Sequence, residues 1–284
     1  MHNDKRSAPQ SGRVENTALI LLRGGGDLAS GVALRLHRAG LKVAITELAQ
    51  PLAVRRAVSF GEAIYEGTHT VEGVTARHVE PSQILTTLDA NEIPVLIDPN
   101  ADVLTFDLKP SNFVAVIDAR LMKQTPSPLP TNVPLHIGLG PGFHAGVNCD
   151  AVIETRRSHT LGRVYWEGAP QPDSGQPEGD PRRVLRAPAD GVLNAKAKIG
   201  DHVEEGQVVA VVGDQASVIS PLKGVLRGLI REGIRLTKGL KIGDVDPRDD
   251  PSACYLVSDK ALAIGGGVLE AVLTSADIRK NLWS

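Results

Sequence analysis

The sequence of 284 residues predicts an α/β fold in two parts, a parallel-sheet domain followed by a small all-β domain. Two observations lead to this prediction. In the first half, short apolar runs alternate with helical patterns, which is typical of strands buried on both faces of a parallel sheet. In the second half, glycines and prolines recur at an offset of 33 residues, which indicates two copies of one short β motif.

Four apolar runs in the first half predict strands, and helical patterns lie between them. The first helical pattern has an apolar stripe that includes Leu28, Val32 and Leu36, and Gly40 ends it. Short links between strand and helix favour right-handed parallel crossovers, so we predict a Rossmann-like parallel sheet. The predicted strands are 18–22, 42–46, 94–98 and 113–118, and the predicted helices are 28–39 and 81–90.

Composition predicts where this sheet domain ends. Residues 168–181 are rich in proline, glycine and aspartate, and no strand or helix pattern crosses them. The N-terminal residues are polar and lack an apolar signal segment, which predicts a disordered leader. The predicted divisions are a leader over 1–16, the Rossmann-like domain over 17–165, a linker over 166–183, the β domain over 184–250 and a C-terminal strand–helix segment over 251–284.

The β domain contains the internal repeat. Residues that begin at Pro188 match those that begin at Pro221, and most shared positions are glycine or proline. Neither half could bury a core alone, so we predict that the two pack together. The pattern resembles the barrel-sandwich, or hammerhead, of biotinyl and lipoyl carrier domains, which carry their cofactor on a hairpin lysine. The corresponding hairpin, 211–220, has no lysine, and we therefore predict neither biotin nor lipoate.

The C-terminal segment predicts a strand over 254–258 and then a helix that Gly265–Gly267 open. Leu269 and Val272 are among the apolar residues of this helix. We expect the helix to pack back on the preceding domains.

Composition also excludes several classes of function. Apolar residues make up 42% of the chain and aromatic residues 3%, and the formal net charge is -2. A chain with no basic excess and few aromatic side chains is not expected to bind nucleic acid. No apolar run reaches the length of about 18 residues that a membrane span requires. The two cysteines form no CxxC pair, which favours a reducing, cytoplasmic location.

A glycine-rich turn, RGGGDLASG at 23–31, links the first predicted strand to the first helix. Gly24, Gly26 and Ala29 fit the dinucleotide-binding pattern G-x-G-x-x-G/A in the required context. The helix N-terminus favours an anion. The alternative is a tight turn that binds no ligand. The predicted cofactor-binding residues of the turn are Arg23, Gly24, Gly25, Gly26 and Asp27.

Residues elsewhere in the first half extend this prediction. Glu47 ends the second strand, where an acid would accept a ribose hydroxyl, so it is also a predicted cofactor-binding residue. Arg23, Arg55 and Arg56 would instead pair with phosphate.

Three further groups are candidate parts of the same anion site. Gly140 and Gly142 belong to a second glycine-rich loop, which forms either an anion-binding nest or an ordinary loop. Arg156 and Arg157 concentrate positive charge before the linker, as an anion clamp or as a solvated edge. The third group is Gly265, Gly266 and Gly267, which either bind the anion or allow close helix packing.

Cys149 is a candidate nucleophile, since a thiolate could carry sulfur or selenium. A cysteine beside an apolar strand is more often part of the core. No group of residues has the spacing of a metal site, so we predict no metal ligands.

Several long stretches of the chain together resemble one bacterial family, the YqeB-type accessory proteins of the selenium-dependent molybdenum hydroxylase system. The resemblance covers roughly 17–275. In its Rossmann part the family is similar to the XdhC and CoxF maturation factors, although the repeat sets this chain apart from XdhC. The stretches are RGGGDLASGVALRLHRAG, AVSFGEAIYEG, EGVTA, PGFHAGVNCDAVIETRRSHTLGRVYWEG and VSDKALAIGGGVLEAVL.

The resemblance implies an accessory or maturation factor for a molybdenum hydroxylase. Such a factor would bind molybdenum cofactor, a pterin dinucleotide or a related nucleotide-like anionic ligand, and a client hydroxylase. One alternative is an NAD-dependent oxidoreductase, which Glu47 favours. A second alternative is a non-catalytic docking protein. Whether the chain is an enzyme stays open, and a homo-oligomer is possible.

Overall fold

The structure is a computed structural model, and it describes residues 18–108, 112–175 and 179–282. The predicted leader over 1–16 lies outside these residues. Within them the chain forms a large mixed sheet with helices on its faces, and two antiparallel sheets that we call the β unit.

The large sheet has nine strands within the described residues. They are β1 (Ala18–Arg23), β2 (Lys42–Glu47), β3 (Thr68–Val71), β4 (Val74–His78), β5 (Ile93–Ile97), β6 (Asn112–Asp118), β7 (His136–Leu139), β8 (Ala151–Ile153) and β9 (Val164–Tyr165). Their order is β3-β4-β5-β2-β1-β6-β7-β8-β9. The seven inner strands, from β4 to β8 in this order, are parallel to one another, while β3 and β9 are antiparallel strands at the two edges.

Helices cover this sheet unevenly. They are α1 (Asp27–Arg38), α2 (Ala63–Glu66), α3 (Ile84–Asp89), α4 (Asp259–Thr274) and α5 (Ala276–Leu282). Helices α1 and α4 pack on one face over a core that includes Ile20, Leu22 and Ile45. Helix α3 packs on the opposite face against Leu19 and Leu21. Because side chains alternate along a strand, β1 supplies both cores.

The β unit begins with a 3-10 turn, Pro181–Arg183, and its first strand begins at residue 184. Its strands are β10 (Val184–Arg186), β11 (Gly191–Ala195), β12 (His202–Val203), β13 (Val208–Val212), β14 (Ala216–Ile219), β15 (Gly224–Leu229), β16 (Arg235–Leu236) and β17 (Lys241–Asp246). The starts of β11, β12 and β13 recur 33 residues later as β15, β16 and β17, so the repeat is structural. One sheet has the order β10-β17-β15-β12 and the other β14-β13-β11-β16. Each sheet therefore includes strands of both halves, and the two enclose one apolar core.

The β unit is anchored to the large sheet through residues 51–66. The Arg231 guanidinium forms an ion pair with the buried Glu62 carboxylate and lies over the Tyr65 ring. The Arg56 Nε donates to the Leu229 carbonyl at 3.2 Å. Gly228 is in close contact with Val54, since a Cβ at Gly228 would lie 2.7 Å from the Val54 carbonyl oxygen.

The predicted fold class, a Rossmann-like parallel sheet with a biotinyl/lipoyl-like barrel-sandwich, is contradicted. The large sheet is mixed, and the second part consists of two antiparallel sheets. A doubly wound sheet has a helix in each crossover. Residues 119–135 and 140–150, which connect β6 to β7 and β7 to β8, contain no helix.

The C-terminal segment also differs from its prediction. Residues 251–254 form a 3-10 turn, so the strand predicted over 254–258 is wrong. Helix α4 begins at Asp259, where the Ser258 hydroxyl accepts a hydrogen bond from the Ala261 N–H. Gly265–Gly267 therefore lie inside the helix and do not open it. The serine cap decides where the helix begins.

Candidate functional site

The glycine turn lies at the carboxyl end of β1, where parallel strands β2 and β6 also end. Gly24 has a positive φ of 93°, and its N–H donates to the Thr46 carbonyl at 2.8 Å. Gly26 caps α1 without a side-chain hydrogen bond, and a Cβ at Gly26 would have no atom within 4 Å. The N-terminal end of α1 is therefore open above Gly26.

Glu47 is engaged within the protein. Its Oε1 accepts a hydrogen bond from the Gly25 N–H at 2.7 Å, and its Oε2 accepts one from the Leu48 N–H at 2.8 Å. Burial raises the pKa of this carboxyl, and the two amide donors oppose that effect. A backbone segment closes over the turn here, since the Gly61 N–H donates to the Gly25 carbonyl at 2.9 Å. A Cβ at Gly25 would lie 2.7 Å from the Gly61 nitrogen.

Arg23 turns its side chain toward the opposite face of the sheet from α1. Its Nη1 lies 3.3 Å from the Asp118 carboxylate, and its Nη2 donates to the Pro99 carbonyl at 3.0 Å. Arg120 binds the same carboxylate with Nε and Nη2, at 2.8 and 2.6 Å. Its Cγ also approaches the turn, 3.6 Å from where a Cβ on Gly24 would lie. Burial lowers the pKa of the Arg23 guanidinium, an effect that Asp118 offsets.

The second glycine-rich loop follows β7 and packs on residues 121–124. The Gly142 N–H donates to the Met122 carbonyl at 2.7 Å, and Gly140 has a φ of 113° beside Leu121. Both glycines are required by close backbone contact, because a Cβ at either position would press on residues 121–124. Leu121 neighbours Arg120, so this loop lies near the same strand ends as the glycine turn.

Cys149 lies in a small apolar cluster with Phe143, Ala145 and Val152. Burial raises the pKa of its thiol to about 11. A nucleophilic cysteine requires the opposite shift, because the thiolate is the reactive form. The structure therefore supports the core interpretation of Cys149.

The remaining candidates lie elsewhere. Arg157 pairs with Asp259 at the start of α4, through contacts of 2.7 and 2.6 Å, and Arg156 donates its N–H to Glu154. Gly265 and Gly267 pack α4 against Gly31 of α1 and against Gly162, while a Cβ at Gly266 would meet no atom within 4 Å. The structure thus brings Arg23, Gly24, Gly25, Gly26, Asp27, Glu47, Gly140 and Gly142 to one edge of the sheet, and does not bring Arg156, Arg157, Gly265, Gly266 or Gly267 there. Their assignment to cofactor binding stays a prediction.

Arg55 approaches the open end of α1 from the other side. Its side chain is only 8% exposed, and its Nη2 donates to the carbonyls of Ala253 and Leu256 at 3.1 and 3.0 Å. Its Nη1 lies 3.9 Å from Asp27 Oδ2, and its Nε is buried without a hydrogen-bond partner. The sequence marked Arg55 and Arg56 as possible phosphate ligands. Arg56 instead contacts the β unit.

Sequence reasoning missed several charged residues around this edge. Asp118 and Arg120 follow the predicted strand 113–118, so the rule that parallel strands end at one edge could have indicated them. Three further cations had no such signal, because they follow the turn by more than 150 positions: Arg183, Arg227 and Lys241. In the described part of the chain, no group of three or more His, Cys, Asp or Glu side chains could hold a metal ion.

No family model matches the sequence. The similar solved structures include an aspartoacylase family protein from Mesorhizobium loti, at 15% identity and a TM-score of 0.25 over 81% of this chain and 85% of that one. They include the ectoine utilization protein EutE (DoeB) from Ruegeria pomeroyi, at 10% identity and a TM-score of 0.26 over 81% and 86% of the two chains. A succinylglutamate desuccinylase/aspartoacylase from Rhodobacter sphaeroides matches at 14% identity and a TM-score of 0.24 over 81% and 86%.

The functional predictions are corrected here. The predicted maturation factor for a molybdenum hydroxylase and the predicted NAD-dependent oxidoreductase are contradicted, because the solved structures that match are named as aspartoacylase, succinylglutamate desuccinylase and ectoine utilization proteins. The docking protein stays a prediction. The engagement of Glu47 by Gly25 and Leu48 agrees with this correction for the oxidoreductase. TM-scores near 0.25 transfer no hydrolase activity to this chain either. Molybdenum cofactor, a pterin dinucleotide and NAD stay predictions as ligands.

Two further findings concern location and relatives. No helix among the described residues is long and apolar enough to cross a membrane, and the cytoplasmic location stays a prediction. The uncharacterized protein YqeB of Escherichia coli K12 is 45% identical over 260 residues, which cover 90% of this chain and 47% of that protein. The chain is therefore similar to YqeB and spans about half the length of this curated relative.

Proposed function

We propose that the chain binds a small oxyanion-bearing molecule at the N-terminal end of α1, between the large sheet and the β unit. The observation that carries the proposal is the Arg55 guanidinium, which is nearly fully buried, lies beside Asp27 and has no carboxylate within hydrogen-bond distance. A buried cation without a close counter-ion is costly, and a bound anion would compensate it.

The surroundings of Arg55 support the same conclusion. Helix α1 has twelve residues and carries partial positive charge at its N-terminus, where Gly26 supplies no capping side chain. The space above Gly26 is open, so an anion could approach the amides there. On the far side of the turn, the Arg120 guanidinium is paired with Asp118, and only its Cγ comes near Gly24.

Asp27 disfavours anion binding, because its carboxylate lies 3.9 Å from Arg55 and would repel an anion. In the absence of a ligand it is the nearest counter-ion of Arg55. An incoming oxyanion would take over that role, and the half-exposed Asp27 side chain could turn into solvent. The proposal therefore predicts opposite effects of substitutions at Arg55 and Asp27.

The test is calorimetric titration of the full chain with inorganic phosphate at low ionic strength, with chloride as the reference anion. We expect Arg55→Gln to weaken phosphate binding by about tenfold or more and Asp27→Asn to strengthen it several-fold. Arg77→Gln is the matched control, because Arg77 is exposed and pairs with Glu92 at the far edge of the sheet. If Arg55→Gln does not fold, the Asp27→Asn result decides alone. The proposal fails if phosphate binds no better than chloride, or if Asp27→Asn leaves its affinity unchanged.

The similarity to YqeB does not indicate an activity for this chain, because that relative is itself named as uncharacterized. A link to the selenium-dependent molybdenum hydroxylase system stays a prediction, as do a client protein and a homo-oligomer.

A further inference from the structure

Three cationic side chains of the β unit converge on one buried carboxylate next to the proposed site. Asp244 is only 4% exposed. Arg227 Nη2 lies 2.9 Å from its Oδ1 and Arg183 Nη2 lies 3.1 Å from the same oxygen. Lys241 Nζ lies 4.0 Å from its Oδ2. A single carboxylate therefore serves three cations.

The neighbouring carboxylates do not balance this charge. Asp246 lies 3.3 Å from Arg227 Nη1, but Arg248 already binds it through Nε and Nη2 at 3.0 and 2.6 Å. Counting Asp27 and Arg55 as well, and Asp250, which interacts electrostatically with Arg248, the cluster has one more positive than negative group. The cations are Arg55, Arg183, Arg227, Lys241 and Arg248, and the carboxylates are Asp27, Asp244, Asp246 and Asp250. Asp259, which interacts electrostatically with Arg248, is paired with Arg157, so this ion pair leaves the excess unchanged.

The cluster is continuous with the end of α1. Lys241 lies close enough to Asp27, and Arg227 close enough to Arg55, for each pair to interact electrostatically. The Nε atoms of Arg183 and Arg227 are buried without a hydrogen-bond partner, as is the Nε of Arg55. The Lys241 side chain is 47% exposed, so the cluster is open to solvent on that side. These observations indicate a second place for an anionic group, next to the first.

We infer that the molecule bound at α1 carries two anionic groups, one held at the α1 N-terminus by Arg55 and the other at the β unit by Lys241, Arg227 and Arg183. The chemical class is a small compound with two phosphate or carboxylate groups. This inference rests on the proposed function. It also assigns a role to the β unit, which would contribute one half of the binding site and not only pack against the sheet.

The test compares inorganic phosphate with pyrophosphate and tripolyphosphate, whose terminal groups lie progressively further apart. We expect at least one of the longer anions to bind about tenfold or more tighter than phosphate at equal ionic strength. Lys241→Met should remove most of that gain, so that the longer anion binds the variant little better than phosphate does. Lys238→Met is the matched control, because it removes the same charge from an exposed position of the same β unit.

The outcomes separate this inference from the proposed function. Absence of phosphate binding in the unsubstituted chain overturns both. Normal phosphate binding with no gain for the longer anions overturns the second anionic group alone. A gain that Lys238→Met reduces as much as Lys241→Met also overturns it, since it would then reflect net charge and not the cluster.

Discussion

The carboxylate of Glu47 accepts a hydrogen bond from the Gly25 N–H at 2.7 Å, and so closes the glycine turn from the end of the neighbouring strand. The second oxygen binds the Leu48 N–H at 2.8 Å. The turn of a dinucleotide-binding protein leaves such an acid available for a ribose. Here the acid instead fixes the backbone of the turn, and only the Gly26 end stays open.

Replacing this carboxylate should therefore reduce stability. Glu47→Ala leaves two backbone N–H groups without their acceptor, and we expect the free energy of unfolding to fall by about 2 kcal/mol. Urea denaturation measures the change, with the exposed Glu205→Ala as the control. A loss no larger than that of the control would mean that water replaces Glu47 at no cost.

The contact between α1 and α4 depends on small residues, and two glycines should respond oppositely to alanine. A Cβ on Gly31 would lie 2.6 Å from the Ala261 Cβ, so Gly31→Ala forces the helices apart at a cost of roughly 1–3 kcal/mol. Gly266 lies in α4 between the two glycines that pack, but a Cβ at Gly266 would meet no atom within 4 Å. Gly266→Ala should therefore stabilise α4 by about 0.5–1 kcal/mol. Thermal unfolding of both variants checks the signs. Similar destabilisation by both would contradict the packing interpretation of these glycines.

Four strands of the large sheet were predictable because each is a short apolar run. Strands β1, β2, β5 and β6 lie within one or two residues of the predicted runs, and the 33-residue repeat reappears in the β unit. The other five strands of the large sheet were missed. Three of them, β4, β7 and β8, pair on both sides but have only three to five residues. The other two are the edge strands β3 and β9. They have mixed polar sequences and pair on one side only, so the apolar signal of a buried strand is absent.

The candidate site was predictable only for residues that lie close together in the sequence. The turn at 23–31 was recognised from its glycines, but its engagement by Glu47 and Gly61 depends on tertiary contacts. Gly265–Gly267 show the opposite error. A run of glycines that lets two helices approach cannot be told from one that binds phosphate by its sequence. Only the position of α4 against α1 distinguishes the two roles.

Cys149 should be unreactive in the folded chain. At pH 8 a thiol with a pKa of about 11 is ionised roughly 100-fold less than one with the ordinary value of 9.0, so alkylation should be slower by a similar factor. Mass spectrometry of the iodoacetamide-treated native and urea-unfolded chain measures both rates. Cys254, which is also buried with a raised pKa, serves as the internal comparison. Equal alkylation rates of Cys149 in the native and the unfolded chain would mean that Cys149 is again a candidate nucleophile.

Asp246 gives the chain a defined sensitivity to acid. Its hydrogen bonds with Arg248 lower its pKa from 3.8 to about 2, although burial opposes the shift. Because the folded-state pKa is lowered, the ionised carboxylate stabilises the fold above pH 3.8, and this contribution of about 2 kcal/mol is lost as the pH falls through about 2.

Arg248→Gln should raise the pKa of Asp246 and so make the chain less stable at neutral pH but less sensitive to acid. Urea denaturation at pH values from about 5 to 2 should give a shallower decline in the free energy of unfolding for the variant. Arg182→Gln is the control, because Arg182 binds Asp180 with the same two-residue spacing at a more exposed position. Solvent screens that pair, so its removal should change the decline much less. Parallel declines for Arg248→Gln and the unsubstituted chain would show that Arg227, and not Arg248, holds the Asp246 carboxylate in its ionised form.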